Sequence, residues 1–434
     1  MKINNYSFVI LVCLFTSFGV FAQTSYTSIT MPTGLHATSP ASATTRVVTG
    51  DFDNDGDIDM LTQLNGTDGS QVDYHQNNGG TYTIISGTGS PSTFSSGPFN
   101  GLSFNAVRNS NLFVADYDND GDMDIFETSA NPTPTRFLRN TSGIFSSVTV
   151  PTNFPTVMST AGFARFVIGD FNNDGDIDFL HQQGTGSASI FYCDNDGIGN
   201  FTQHAANGAG AFTSGIFNGV TMINVLSTNV MFPADYDNDG DIDIYQYQAA
   251  GSIYYKNNGA SWAIATVPSG LPALLNAGRF LPSDYDADGD IDVLYQTGTA
   301  VPAGINFATN NGSGTYTSVT ADGTGTFSSG PFSGITLNDI FASILFPFDY
   351  DTDGDIDLYR IPFGASGTNF LYRCGGVPPS LTSRSPLNGA TGISTATNLT
   401  MTFNEIVTAG TIINNIYIKR FSDDAVIQNS VQFG

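Results

Sequence analysis

Basic residues are scarce in this chain: 13 Lys and Arg stand against 39 Asp and Glu, a formal net charge of −26. Nucleic-acid binding needs clustered Lys and Arg to displace phosphate counterions, and no such patch is present, so a nucleic-acid partner is not expected. Long apolar runs are missing too. The stretch from Phe8 to Phe15 is too short to span a bilayer, and no later one approaches ~18 residues, so no membrane span is expected. With Lys2 before it and Val20-Phe21-Ala22 after it, that run reads as a secretory signal peptide, residues 1–22, cut after Ala22. The mature protein is therefore expected outside the cell, secreted or held at its surface. Only Cys193 and Cys374 remain after cleavage, and both are expected to be free and buried. The four histidines (His36, His75, His181 and His204) share no spacing that suggests zinc. No Ser or Cys has a recognisable partner for nucleophilic catalysis.

Aspartate, by contrast, recurs in a fixed pattern. Six nine-residue stretches starting at Asp51, Asp116, Asp170, Asp235, Asp284 and Asp349 read D-x-[DN]-x-D-G-D-[IM]-D, each with an aromatic second residue. Side chains at positions 1, 3, 5 and 9 can converge on one ion, the position-7 carbonyl can add an oxygen, and the position-6 glycine permits the turn. An all-oxygen shell suits a hard cation, Ca²⁺ before Mg²⁺. The candidate metal-site residues are Asp51, Asp53, Asp55, Asp57 and Asp59 in the first loop, and Asp116, Asp118, Asp120, Asp122 and Asp124 in the second. The third offers Asp170, Asn172, Asp174, Asp176 and Asp178, and the fourth Asp235, Asp237, Asp239, Asp241 and Asp243. The fifth has Asp284, Asp286, Asp288, Asp290 and Asp292, and the sixth Asp349, Asp351, Asp353, Asp355 and Asp357. About six Ca²⁺ are expected. An EF-hand would need a Glu at position 12 and flanking helices. Position 12 holds Thr62, Glu127, His181, Gln246, Tyr295 and Arg360, and the flanks are short, apolar and β-prone. The EF-hand reading fails.

The loops lie 65, 54, 65, 49 and 65 residues apart, a repeat length of arrays or propellers. Each unit reads as four short strands, and Asn-Asn-Gly turns recur at Asn77, Asn257 and Asn310. The sixth unit lacks its fourth strand, while Ser25–Thr30 nearly repeats Thr315–Thr320, the fourth strand of the fifth. The N-terminal strand is therefore expected to pair beside Asn369–Arg373 and close the ring, leaving no free sheet edge. The alternating spacing pairs the units. Related inserts precede each even-numbered loop at 93–101, 211–219 and 326–334, with Phe99, Phe217 and Phe332 in equivalent places. Strand parity puts these inserts on the face opposite the acidic loops, where the phenylalanines are either ligand contacts or core packing. The second-position aromatics and Trp262 are expected in the core.

These units resemble the FG-GAP/VCBS repeats of integrin-α-like propellers over roughly residues 24–376. The resemblance implies an all-β chain: a β-propeller of six or seven blades, the six motifs arguing for six and the family's familiar number being seven, binding calcium in the hairpin between the first two strands of each blade. It assigns the ligand roles to Asp51, Asp53, Asp55 and Asp59 and their equivalents. From Val377 the composition shifts. Ser385–Gly392 and Leu399–Glu405 resemble a bacterial Ig-like module, but only 58 residues remain against ~100 for a full sandwich. The expected domains are thus the leader (1–22), a propeller (23–376) and an incomplete Ig-like domain (377–434), in a chain expected to be a piece of a longer protein.

Fold does not decide function. A secreted or surface-displayed binding module, presenting a loop face to a glycan or an extracellular protein, is one reading. A carbohydrate-active enzyme is another and requires a close pair of carboxylates outside the acidic loops. A structural spacer is the third. The inserts contain no acid, which favours binding.

Overall fold

The structure is a computed structural model. It describes residues 25–375 apart from 37, 42–45, 64–70, 90, 105–109, 130–134, 152, 155–164, 183–189, 223–230, 247–250, 273–278, 298–303, 338–342 and 363. In the tail it describes 381–385, 400–403, 418–419 and 426–428. The expected leader, residues 1–22, lies outside the described residues.

Six four-stranded antiparallel sheets form a six-bladed propeller, with no helix among the described residues. Blade 1 runs Arg46–Gly50, Asp59–Gln63, Asp73–Asn78 and Thr81–Ser86 from its inner to its outer strand. Blade 2 is Ser110–Ala115, Asp124–Ser129, Arg136–Asn140 and Phe145–Val148. Blade 3 is Arg165–Gly169, Asp178–Gln182, Ile190–Asn195 and Phe201–Ala205. Blade 4 is Met231–Ala234, Asp243–Gln246, Ile253–Asn257 and Trp262–Ala265. Blade 5 is Arg279–Ser283, Asp292–Gln296, Ile305–Asn310 and Tyr316–Thr320. Blade 6 takes Ser343–Phe348, Asp357–Pro362 and Phe370–Arg373 from the end of the ring, and its fourth strand, Thr27–Ile29, from the beginning. Thr27 stands opposite Arg373, Ser28 opposite Tyr372 and Ile29 opposite Leu371, the pairing expected from the sequence.

The blades are buried on both faces, because each packs against two neighbours. Adjacent residues in one strand serve opposite seams: Val48 packs with Phe52 and Tyr74 towards blade 2, Val47 with Met60 and Tyr359 towards blade 6. The second-position aromatics Phe52, Tyr117, Phe171, Tyr236 and Tyr285 are fully buried, and Tyr350 nearly so.

Two kinds of seam alternate around the ring. Within the pairs 1–2, 3–4 and 5–6, the insert drives a phenylalanine between the sheets. Phe99 stacks on Phe145 at 4.7 Å, Phe217 packs on Trp262 at 4.6 Å, and Phe332 stacks on Tyr26 at 4.3 Å. All three are 0% exposed, so of the two expected roles the structure assigns core packing. Between the pairs a proline turn serves instead. Leu35, Phe154 and Leu271 each donate their backbone N–H to a proline carbonyl three residues earlier (Pro32, Pro151, Pro268) at 3.2 Å. Each of these three side chains is buried in the next seam.

The larger compact unit is Ser25–Asp286 with Asp290–Cys374, and the smaller contains Gly375–Gly434. In the tail, Leu381–Ser385 pairs with Thr400–Phe403 and Ile418–Lys419 with Val426–Gln428.

Candidate metal centres and the comparisons

Each acidic loop joins the first strand of its blade to the second, and its backbone explains the spacing of the motif. Asp51 at position 1 accepts the N–H of Asp55 at 3.2 Å and of Gly56 at 3.0 Å, folding the chain back on itself. Asp116, Asp170, Asp235 and Asp349 repeat both bonds. The position-6 glycine sits at φ between +91° and +96° in all six loops, where a side chain is strained. Position 4 is also left-handed, which suits Asn54, Asn119, Asn173 and Asn238 better than Ala287 or Thr352.

Position 9 anchors the loop to its sheet. Asp59 is 0% exposed and accepts three hydrogen bonds, from Phe52 N at 3.0 Å, Tyr74 Oη at 2.7 Å and Asn77 N at 2.7 Å. Burial outweighs these bonds and pushes its carboxyl up to about 7; Asp124, Asp178 and Asp243 are raised alike, and Asp357 to about 8. The Asn that meets position 9 also joins neighbouring blades. Nδ2 of Asn77 donates to Tyr350 O, that of Asn140 to Phe52 O, that of Asn195 to Tyr117 O, and those of Asn257 and Asn310 to Phe171 O and Tyr236 O, at 3.0–3.4 Å. In blade 6 the residue is Cys374, whose thiol approaches Tyr285 O at 3.8 Å. This ladder was hidden in the sequence, where the Asn-Asn-Gly runs signal only a turn.

Position 7 faces the preceding blade. Its carboxylates accept from position 4 of the preceding loop: Asp122 from Asn54, Asp176 from Asn119, Asp241 from Asn173 at 2.5 Å and Asp290 from Asn238 at 2.6 Å. Thr352 Oγ1 donates to Asp57 at 2.7 Å and carries the stitching across the junction of blades 6 and 1.

Position 3 is the oddity. One oxygen of Asp53, Asp118, Asp237 and Asp351 is buried without a hydrogen-bond partner. A buried anionic oxygen left unpaired is costly, and such an atom marks a place for an unseen cation or water. Around it the acids converge. Asp51, Asp53 and Asp59 bring oxygens within 4.8 Å of one another, as do Asp116, Asp118 and Asp120, and Asp235, Asp237 and Asp239. The triads Asp284, Asp286 and Asp292, and Asp349, Asp351 and Asp353, do the same. These five groups could hold a metal ion, and their donors are all oxygen, the set a hard divalent cation prefers. The third loop has Asn172 at position 3.

The comparisons follow the same units. Residues 116–181, from position 1 of the second loop to position 12 of the third, match the FG-GAP-like repeat family. That match spans parts of blades 2 and 3 of the six-bladed propeller. Residues 376–432 match the bacterial Ig-like domain family. No curated protein matches the sequence. Among solved structures, one describes the specific recognition of non-reducing terminal N-acetylglucosamine by an Agrocybe aegerita lectin. It is 17% identical, with a TM-score of 0.47, covering 78% of this chain and 86% of that one. The Photorhabdus luminescens Tc holotoxin pore is 15% identical, with a TM-score of 0.46, covering 81% of this chain and 14% of that one.

Other polar groups of the propeller have structural partners. His36 and His75, unrelated in sequence spacing, meet edge to face at 4.8 Å beside Asp73. His75 Nδ1 donates to Gly34 O at 2.7 Å, and burial lowers its pKa to about 4. The His36 carbonyl accepts from Tyr359 Oη and Asn369 Nδ2, so this cluster fastens the segment after the closing strand to blades 1 and 6. His181 is buried beneath Phe191, and His204 stacks on Tyr192. Asp196 and Asp322 accept backbone N–H groups of their own turns. Cys193 and Cys374 are free and buried, and burial pushes the Cys193 thiol up to about 12. No helix among the described residues is long and apolar enough to cross a membrane.

Proposed function

We propose that this chain is a secreted or cell-surface binding module whose propeller is held in shape by calcium and offers a loop face to a glycan or an extracellular protein. The observation that carries the calcium part is the partnerless position-3 oxygen, buried in four loops at the point where the other acids converge. Positions 1, 3, 5 and 9 would hold the ion, while the position-7 side chains serve the joints between blades. When bound, the ion supplies charge neutralisation rather than chemistry. Unit charges ~5 Å apart repel by about 3 kcal/mol at an effective dielectric near 20.

Binding is favoured over catalysis because, among the described residues, the acids outside the loops are spoken for. Asp73 is held by Gln71 and His36, Asp194 by Asn172 and Tyr192, and Asp196 and Asp322 by their own turns. With Phe99, Phe217 and Phe332 buried, ligand contact on the face opposite the acidic loops falls to the connections between second and third strands, around Gln63–Gln71 and Gln296–Gly304. The central residues of those connections lie outside the described residues.

The metal test is thermal. At a hundredfold excess over its dissociation constant, a ligand that binds only the folded form adds about 2.7 kcal/mol per site. Chelation should lower the melting temperature, and Ca²⁺ should restore it more than Mg²⁺. An unchanged melt in excess chelator sinks the calcium reading. A glycan array probed with and without Ca²⁺ tests the ligand reading.

A further inference from the structure

The acidic loops are hydrogen-bonded to one another in series. In five of the six, the position-4 side chain donates to the position-7 carboxylate of the next loop round the ring. Asn54 donates to Asp122, Asn119 to Asp176, Asn173 to Asp241 at 2.5 Å and Asn238 to Asp290 at 2.6 Å. Thr352 carries the series from blade 6 into blade 1, where Asp57 lies 2.7 Å away. The bonds thus join blades 6, 1, 2, 3, 4 and 5 in that order. The remaining position-4 residue is Ala287, whose methyl group is no donor.

A second route runs beside the first. In blades 1 and 2 the turn between the third and fourth strands donates to position 7 of its own loop, Gly79 N to Asp57 at 2.5 Å and Ser142 N to Asp122. The same turns lie against position 3 of the preceding loop. A Cβ added at Gly143 would collide with the Asp53 carbonyl, and one at Gly80 would stand 3.2 Å from Asp351 Cβ. In blade 5, a Cβ at Gly314 would stand 2.8 Å from Asp237 Cβ. Positions 3 and 4 of one loop therefore steady position 7 of the next from two sides. Position 3 carries the buried, partnerless oxygen of Asp53, Asp118, Asp237 and Asp351, so these contacts begin at the heart of each candidate metal centre.

We infer that Ca²⁺ fills the loops cooperatively, each occupied loop preparing the next through the bond from position 4 to position 7. The inference rests on the calcium reading above and adds a coupling between its sites. In an empty loop the crowded carboxylates repel one another and oppose the closed turn. An ion held by positions 3 and 5 fixes the residue between them. Position 4 sits at φ between +54° and +62°, a left-handed conformation that costs energy and is readily lost from a loosened loop. Once position 4 is fixed, its donor holds position 7 of the following loop, the residue whose carbonyl is a candidate ligand there. The second ion then meets a turn that is already ordered, and its binding carries less of the ordering cost. Coupling between sites commonly changes affinity by about 5–150-fold, and one shared hydrogen bond per joint points to the low end, about fivefold.

Equilibrium dialysis of ⁴⁵Ca²⁺ against the full-length protein reads the coupling as the steepness of uptake. The parent should fill with a Hill coefficient of about 1.5 or more. Thr352→Val removes the hydroxyl that donates to Asp57, and Asn173→Gly removes an amide but keeps a backbone at ease in the left-handed region. Both side chains are exposed, and neither stands at position 1, 3, 5 or 9, so the number of ions bound should not change. Together the two changes should bring the Hill coefficient towards about 1 and raise the midpoint concentration severalfold. Should the pair fail to fold without metal, Thr352→Val alone decides, because it too should flatten the uptake. A parent that fills without cooperativity, or substituted proteins that fill as steeply as the parent, would overturn the coupling and leave the calcium reading standing. No calcium uptake at all would overturn the calcium reading beneath it.

Discussion

Each aspartate of the nine-residue motif has a separate task, and only some of these tasks concern a metal. Position 1 folds the turn, position 7 reaches back to the preceding blade, and position 9 is buried where it receives the third strand. The last of these has a pH consequence. Burial raises the position-9 carboxyls to about 7, above the ~3.9 of an unfolded Asp. A folded-state pKa raised in this way contributes stability that is fully present below the unfolded value and is lost as pH rises through the folded one. In excess chelator the melting temperature should therefore fall between about pH 5 and pH 8, and saturating Ca²⁺ should flatten that slope. A metal-free melting temperature that rises with pH over this window would contradict it. The motif was plain in the sequence because its spacing is the signal. The partners were not. Asn77 and Asn195 look like turn residues, and nothing local announces that their amides reach the carbonyls of Tyr350 and Tyr117 in neighbouring blades. The meeting of His36 with His75 was equally invisible, since the two belong to different parts of the ring.

At the scale of the element, the inserts and the proline turns do one job by two means. The inserts were recognisable as a threefold repeat, but the sequence left open whether Phe99, Phe217 and Phe332 contact a ligand or fill a core. The answer depends on which sheet faces they meet, and that is a matter of packing. Each lies among aromatic rings of two blades, as Phe99 does among Phe52, Tyr74 and Phe145. Truncating one of them to Ala should cost roughly 3–5 kcal/mol, the range for a buried Phe. Chemical denaturation of Phe217→Ala measures it, and a loss under about 1 kcal/mol would show that the seam tolerates the gap. The proline turns escaped notice because Val150-Pro151, Val267-Pro268 and Met31-Pro32 read as ordinary loop punctuation. Their repetition at the ends of blades 2, 4 and 6 gives them meaning.

For the whole molecule, closure governs stability. The Thr27–Ile29 strand pairs with Phe370–Arg373, and Tyr26 is stacked on Phe332 in the last seam. Without the N-terminal segment, blade 6 would expose an unpaired edge and the seam of blades 5 and 6 would lose a ring. Removing residues 23–32 should lower the melting temperature of the entire propeller in a single transition. A truncated protein that melts like the parent would show that the ring does not depend on its clasp. Fold class and closure were legible because repeats announce themselves by period, and a missing strand at one end matched a spare one at the other; the choice of six blades over seven came only with the sheets themselves.

That clasp also means that the place where the covalent chain breaks is arbitrary with respect to the ring. Asn140 connects to Phe145, and Asn257 to Trp262, through four intervening residues, and Cys374 and Tyr26 occupy the corresponding places in blade 6 with no peptide between them. A four-residue bridge from Cys374 to Tyr26 would give blade 6 the covalent turn that blades 2 and 4 already possess. New ends could then be opened at 141–144 or at 258–261 to yield a circular permutant with the same six blades. The pseudo-threefold molecule has three equivalent places to begin, and this chain uses one of them.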